Sequence, residues 1–239
     1  MSKKFSIIIP AYNEEKYLLE ALCSVESQTF DLSQLEVVVV DNASTDKTSA
    51  VFESFFSSNS IDSLLLKEPQ LGAGRAKNKG AAEAQGEIFL FLDADSRLSP
   101  QTVEKVYEAY KLEFLLGTIR LKADSSDWTA NFFFDLIHFG KKIFNIMANM
   151  GFCHRELFFE AGGFNPDLKQ AEDLEFYRRA KKILKKKRKN WCLIEETPIF
   201  TSARRLEHFP LKLGYLLTLL EWGLGGFLGL QRRSYIPYR

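Results

Sequence analysis

The sequence predicts an α/β fold, a mostly parallel Rossmann-like sheet flanked by helices. Over the first hundred residues short apolar runs alternate with longer amphipathic stretches, the mark of βαβ units. Runs of β-branched residues such as Val37 to Val40 read as strands buried on both faces. A chain of 239 residues that is 46% hydrophobic and 26% charged is an ordinary globular one, which excludes collagen, low-complexity disorder and a polytopic membrane protein.

In order, the strands are Phe5 to Ile9, Glu36 to Val40, Leu64 to Leu66 and Ile88 to Leu92. Glu14 to Gln28, Asp46 to Ser57 and Arg75 to Gln85 read as the intervening helices, started near Asn13, Thr45 and the glycines at 72 and 74. In a doubly wound sheet the loops at the carboxyl ends of the strands hold the ligand. A helix from Gln101 to Lys111 and a strand from Phe114 to Leu121 follow. Phe132, Leu136, Phe139, Ile143, Met147 and Met150 then recur at spacings of four and three, which is one helical face. The plain reading is a stripe packed on the sheet; a lipid-facing or substrate-lining stripe is the alternative. Gly162-Gly163 makes a turn, and Glu172 to Leu184 reads as a helix. No composition break precedes about residue 205, so residues 1–205 are expected to form one domain and 206–239 an apolar helical tail.

Composition narrows the function. Thirty-two Lys+Arg against 31 Asp+Glu give a net charge of +1, too little to gather nucleic acid. Cys23, Cys153 and Cys192 are odd in number and form no CxxC pair, which argues against a secreted disulfide scaffold and for a reducing cytoplasm. The apolar run at the amino terminus stops at Pro10, too short for a signal-peptide core or a span. Gly72 and Gly74 begin a GxG, but Lys77 breaks the dinucleotide fingerprint, and there is no GxxxxGK[ST]. His138, His154 and His208 lack metal-ligand spacing.

What remains is acidic residues at strand ends: Asp41 after the second strand, and Asp93-Ala-Asp95 after the fourth. Residues two apart in an extended segment project the same way, so Asp93 and Asp95 can address one hard cation, or one cation and one ribose. A lone DxD also makes surface turns. Directly after the hydrophobic run Ile88 to Leu92, the metal reading gains weight.

Five stretches, in order, carry a resemblance: Ile8-Ile-Pro-Ala-Tyr-Asn-Glu-Glu, Val40-Asp-Asn-Ala-Ser-Thr-Asp, Gly72-Ala-Gly-Arg-Ala-Lys-Asn-Lys-Gly80, Phe91-Leu-Asp-Ala-Asp95, and Gly162-Gly-Phe followed by Glu172-Asp173. The chain resembles the family 2 glycosyltransferases of GT-A fold. That resemblance implies a nucleotide-diphosphate sugar donor, a divalent cation, an inverting transfer and a sugar or lipid-linked acceptor. By position, Pro10, Tyr12 and Glu14 would line the nucleotide pocket and Asp41 would bind base or ribose. Asp95 would bind a Mg²⁺ or Mn²⁺ bridging the diphosphate, with Asp93 on the ribose, the donor sugar or the same cation. Asp173 would be the general base. The alternative for Glu172-Asp173 is a pair of carboxylates at a helix N-terminus, stabilised by the macrodipole. Many relatives have arginine before the asparagine, where this chain has Lys77-Asn78 with Arg75 two residues earlier; which basic side chain reaches the donor stays open. Arg204-Arg205 weakly resembles an arginine motif near the diphosphate in some of these transferases.

Two other activities are compatible with such a fold. A nucleotidyltransferase would carry a glycine-rich phosphate loop after the first strand, where this chain has Pro-Ala-Tyr-Asn-Glu. A silent nucleotide-sugar-binding protein would leave positions 41, 93, 95 and 173 unconstrained. Arg178 to Lys189 places nine Lys+Arg in twelve residues, and Phe209 to Leu230 has no charges save Lys212 and Glu221. A solvated helix end and a core-packed tail are the bland readings. Together they also fit a protein lying on the anionic inner face of the cell membrane.

Overall fold

The computed structural model describes residues 3–144, 147, 150–168 and 171–204. The expected apolar tail, 206–239, lies outside the described residues. In chain order the elements are β1 (Phe5–Ala11), α1 (Leu18–Glu26), β2 (Leu35–Asp41), α2 (Thr48–Phe56), β3 (Asp62–Lys67), α3 (Ala73–Glu83), β4 (Ile88–Phe91) and β5 (Ser96–Arg97). Then come α4 (Thr102–Lys111), β6 (Leu116–Ala123), α5 (Trp128–Phe144), β7 (Gly151–His154), α6 (Arg155–Glu160), α7 (Glu172–Lys186) and β8 (Cys192–Thr201).

All eight strands join one sheet in the order β3-β2-β1-β4-β7-β6-β8-β5. β3, β2, β1 and β4 run parallel, and β7 enters antiparallel between β4 and β6. β1 opposes Ile8 to Val38 on one side and to Phe91 on the other. Alternate side chains feed two cores: Ile7, Ile9, Val37 and Val39 one face, and Ile8, Val38, Val40, Phe89 and Phe91 the other. This is why the apolar runs are continuous and not alternating. The chain goes from β1 outward to β2 and β3, then returns to β4 on β1's other side. The carboxyl ends of β1 and β4 therefore flank the topological switch point, where open α/β sheets bind ligands. α3 packs so tightly there that a Cβ on Gly80 would lie 2.6 Å from Ile8 Cγ2.

Three expectations need correction. The helices after β1 and β2 start later than expected, because Asn13 and Thr45 do not cap them. Asn13 instead takes a φ of 55° and accepts at Oδ1 from the Thr45 N–H, 2.8 Å away, which ties the two loops together. The stripe from Phe132 to Met150 does not lie on one helix, since Met147 and Met150 are not helical. Nor does its helical part pack on the sheet: Phe132, Leu136, Phe139 and Ile143 are 63%, 44%, 60% and 59% exposed, and Trp128 joins them at 74%. α5 is apolar on both sides, and the face toward β6 is filled instead by Ala130, Phe133 and Phe134, clustered with Ala123 and Ala203. β5, β7 and β8 were not legible in the pattern. Among the described residues no helix is long and apolar enough to cross a membrane.

Candidate active site

Each strand end at the switch point contributes a loop, and the loops are cross-linked before any ligand arrives. Asp41 closes β2, largely buried. Its Oδ1 accepts from the Ser44 N–H at 2.9 Å and its Oδ2 from the Ser49 hydroxyl. Burial opposes its ionisation, but the bonds from Ser49 and Ser44 outweigh burial and hold the carboxyl below its ordinary range. Asn42, next in the chain, accepts from the Gly72 N–H (2.8 Å) and donates to the carbonyls of Glu68 and Gln70, fixing the entry to α3. Pro10 lies at the end of β1, Tyr12 is exposed beyond it, and Glu14 turns inward.

α3 and α7 bring the second group. Lys77 is buried, with Nζ 2.9 Å from Glu172 Oε1. Burial alone would lower its pKa, yet the carboxylates of Glu172, Asp93 and Asp173 around it hold it above the ordinary lysine value. The same carboxylates of Asp173 and Asp93, added to burial, push the Tyr177 hydroxyl well up. Asp93 from the end of β4 and Asp173 from the first turn of α7 thus share one neighbourhood around a buried ammonium. Arg75 points elsewhere, toward Asp167 at 3.3 Å. Of the two basic candidates, Lys77 is the one inside.

The turn before α7 is set by Asn78 and the glycine pair. Asn78 accepts from the Phe164 N–H at 2.8 Å and donates to the Phe164 carbonyl at 2.7 Å. Gly163 has a φ of +64°, and a Cβ there would meet Asn78 Oδ1 at 2.7 Å. Glycine is required on both counts.

Asp95, two residues on from Asp93, has a side chain only 8% exposed, with Oδ2 3.1 Å from Arg204 Nη2. Arg204 also bonds Glu14 and lies over the Tyr17 ring. Arg204, from the weak arginine signal, thus touches two of the candidate residues. Lys141 is the residue that sequence reasoning missed. It lies on α5 near Asp173, and burial pulls its pKa down to about 8 against the carboxylate's opposing pull.

Asp93 and Asp95 offer only hard oxygens, which suits Mg²⁺ or Mn²⁺. Among the described residues no three His, Cys, Asp or Glu side chains form a cage for a metal ion. Two carboxylates alone do not complete an octahedral shell, so a cation held there would take its remaining ligands from water or a bound anion.

Comparison with known proteins gives this geometry a lineage. Over 101 residues the chain is 38% identical to poly(ribitol-phosphate) beta-N-acetylglucosaminyltransferase TarS of Staphylococcus aureus, a match that spans 42% of this chain and 18% of that protein. The structure of TarS residues 1–349 in complex with UDP-GlcNAc superposes with a TM-score of 0.69 at 23% identity, covering 83% of this chain and 58% of that one. Mannosyltransferase PcManGT from Pyrobaculum calidifontis, in complex with GDP-Man and Mn²⁺, gives 0.72 at 18% identity, over 98% and 66%. At those identities the structures speak for the fold, which is GT-A. The sequence signature described as Glycosyl transferase family 2 matches residues 6–158, from β1 through most of α6 and over more than half of the chain, so the chain belongs to that family.

Proposed function

We propose that the protein is a metal-assisted, inverting glycosyltransferase that moves a sugar from a nucleotide-diphosphate donor to an acceptor hydroxyl. The observation that carries this reading is that Asp93 and Asp173 gather around Lys77 while Asp95 and Glu14 share Arg204, the two groups being joined by the two-residue step from Asp93 to Asp95. Such a division suits a donor whose diphosphate meets Asp95 and whose sugar reaches toward Asp173.

In this reading Pro10, Tyr12 and Glu14 border the nucleotide and Asp41 holds base or ribose. Asp95, with Asp93 beside it, holds the cation. A divalent cation there supplies charge neutralisation for the departing diphosphate. Lys77 adds a positive charge near Asp93 and Asp173. Asp173 takes the proton from the acceptor hydroxyl as its oxygen forms the new bond to the anomeric carbon. The bond to the diphosphate breaks on the opposite face, and a single displacement inverts that carbon.

The test is thermal stabilisation by a panel of nucleotide sugars with and without Mn²⁺, in wild type and Asp95→Ala. We expect stabilisation by one donor class, strengthened by Mn²⁺ and insensitive to Mn²⁺ in the variant. Undiminished Mn²⁺-dependent donor binding by folded Asp95→Ala removes the metal assignment.

A further inference from the structure

The end of β8 is stitched to the DxD turn. The Ser202 N–H donates to the Asp95 carbonyl at 3.0 Å, and the Ser96 hydroxyl donates to Thr201 Oγ1 at 2.9 Å. The chain then turns, the Arg204 N–H donating to Ser202 Oγ at 3.2 Å, and the side chain folds back across the site. Its guanidinium lies 4.5 Å above the Tyr17 ring and bonds Glu14 Oε1 as well as Asp95 Oδ2. The side chains of Arg204, Glu14 and Asp95 are 29%, 13% and 8% exposed, so the three charges are mostly shielded from water and interact strongly.

We propose that Arg204 is the built-in counter-cation of Asp95 and competes with the divalent cation for it. This rests on the reading of Asp95 as the metal carboxylate. A coordinated cation sits about 2.1 Å from its carboxylate oxygen, where it would displace an N–H bonded to that oxygen and be repelled by the guanidinium. In the free protein the carboxylate is already neutralised, so a bare cation gains little by entering. A nucleoside diphosphate changes the balance, because its negative oxygens can face the cation and the guanidinium together. Glu14 and Tyr17 keep Arg204 at the site while it leaves Asp95. Metal and nucleotide thereby enter as a pair, and Asp95 is never a bare buried charge.

The experiment counts free Mn²⁺ by electron paramagnetic resonance during titration of the full chain, with no nucleotide and with saturating UDP. Arg204→Gln, checked for an unchanged circular dichroism spectrum, is expected to bind Mn²⁺ alone about tenfold more tightly than wild type. UDP should then improve its Mn²⁺ affinity less than it does for wild type. Arg204→Lys keeps the charge without the fork and should fall between, at about threefold; it decides the matter if the glutamine variant does not fold. If wild type takes up Mn²⁺ with UDP but neither folded variant differs from it with Mn²⁺ alone, the competition is refuted and the metal reading stands. If wild type takes up no Mn²⁺ with saturating UDP, nor with GDP in its place, both readings fall.

Discussion

Asp173 and Lys141 approach each other from different helices, and the pair separates a catalytic from a merely structural role for the carboxylate. An acidic first turn is favourable on any helix, and α7 has Glu172, Asp173 and Glu175 there. Asp173→Asn keeps the shape and removes the proton acceptor. Turnover should fall at least about a hundredfold with donor affinity nearly unchanged, as expected for loss of a general base. Turnover within a few-fold of wild type would leave the macrodipole as its whole role. Lys141 provides a test by pH. Its folded pKa of about 8 lies below that of an unfolded lysine, so between about pH 8 and 10 the unfolded chain holds more protons than the folded one. Stability from this group therefore rises with pH across that window and is lowest below it. Lys141→Met should raise the thermal midpoint at pH 7 and flatten the rise between pH 8 and 10, which melting curves at the two ends will check.

At the scale of elements, the first four strands and the helices among them were legible because strands buried on both faces are continuous apolar runs. β7 and β8 were not. β7 is four residues, two of them Gly151 and His154, and β8 has Glu195, Glu196 and Pro198 inside it, so neither has a period to detect. The site was legible where it lies in the loops after β1, β2 and β4, and dim where tertiary folding supplies it. Nothing local says that Arg204 returns to Asp95, or that Lys141 faces Asp173. α5 shows how periodicity misleads: a helix apolar on two sides offers two stripes, and the longer one faces out. At about 100° per residue, Lys141 lies roughly opposite that stripe, on the side of Ala130 and Phe134. The consequence is measurable. Phe132→Ser with Phe139→Ser should cost less than about 1 kcal/mol, the scale of exposed substitutions, against about 3 kcal/mol or more for a packed phenylalanine. A midpoint in denaturant shifted by the larger amount would mean that this face is covered.

For the whole molecule, a net charge of +1 conceals an uneven distribution. Arg178, Lys182, Lys185, Lys186, Lys187 and Arg188 are all exposed on α7 and the turn that follows it, and Lys187 and Lys189 are partly neutralised by Glu160 and Glu113. Nucleic acid would want exposed aromatic side chains among these bases, whereas Trp191 lies under Lys181 with Nζ 4.6 Å from the ring and Phe176 is buried beneath Arg179. An anionic lipid surface needs no such reader, since each basic residue near it is worth about 1 kcal/mol. Electrostatics alone gives reversible binding, and stable attachment needs an apolar signal too. The outward face of α5 is one; the sequence Phe209 to Leu230 is another. The full chain should therefore float with vesicles rich in anionic lipid, less with neutral ones, and release partly as salt rises and screening shortens to about 3 Å at 1 M. Changing Lys182, Lys185, Lys186 and Arg188 together to glutamine should remove about 4 kcal/mol at most, enough to abolish flotation if the charge dominates. Association that survives both salt and the fourfold variant would assign attachment to the apolar surfaces, and no association with either kind of vesicle would remove the membrane from the protein's function.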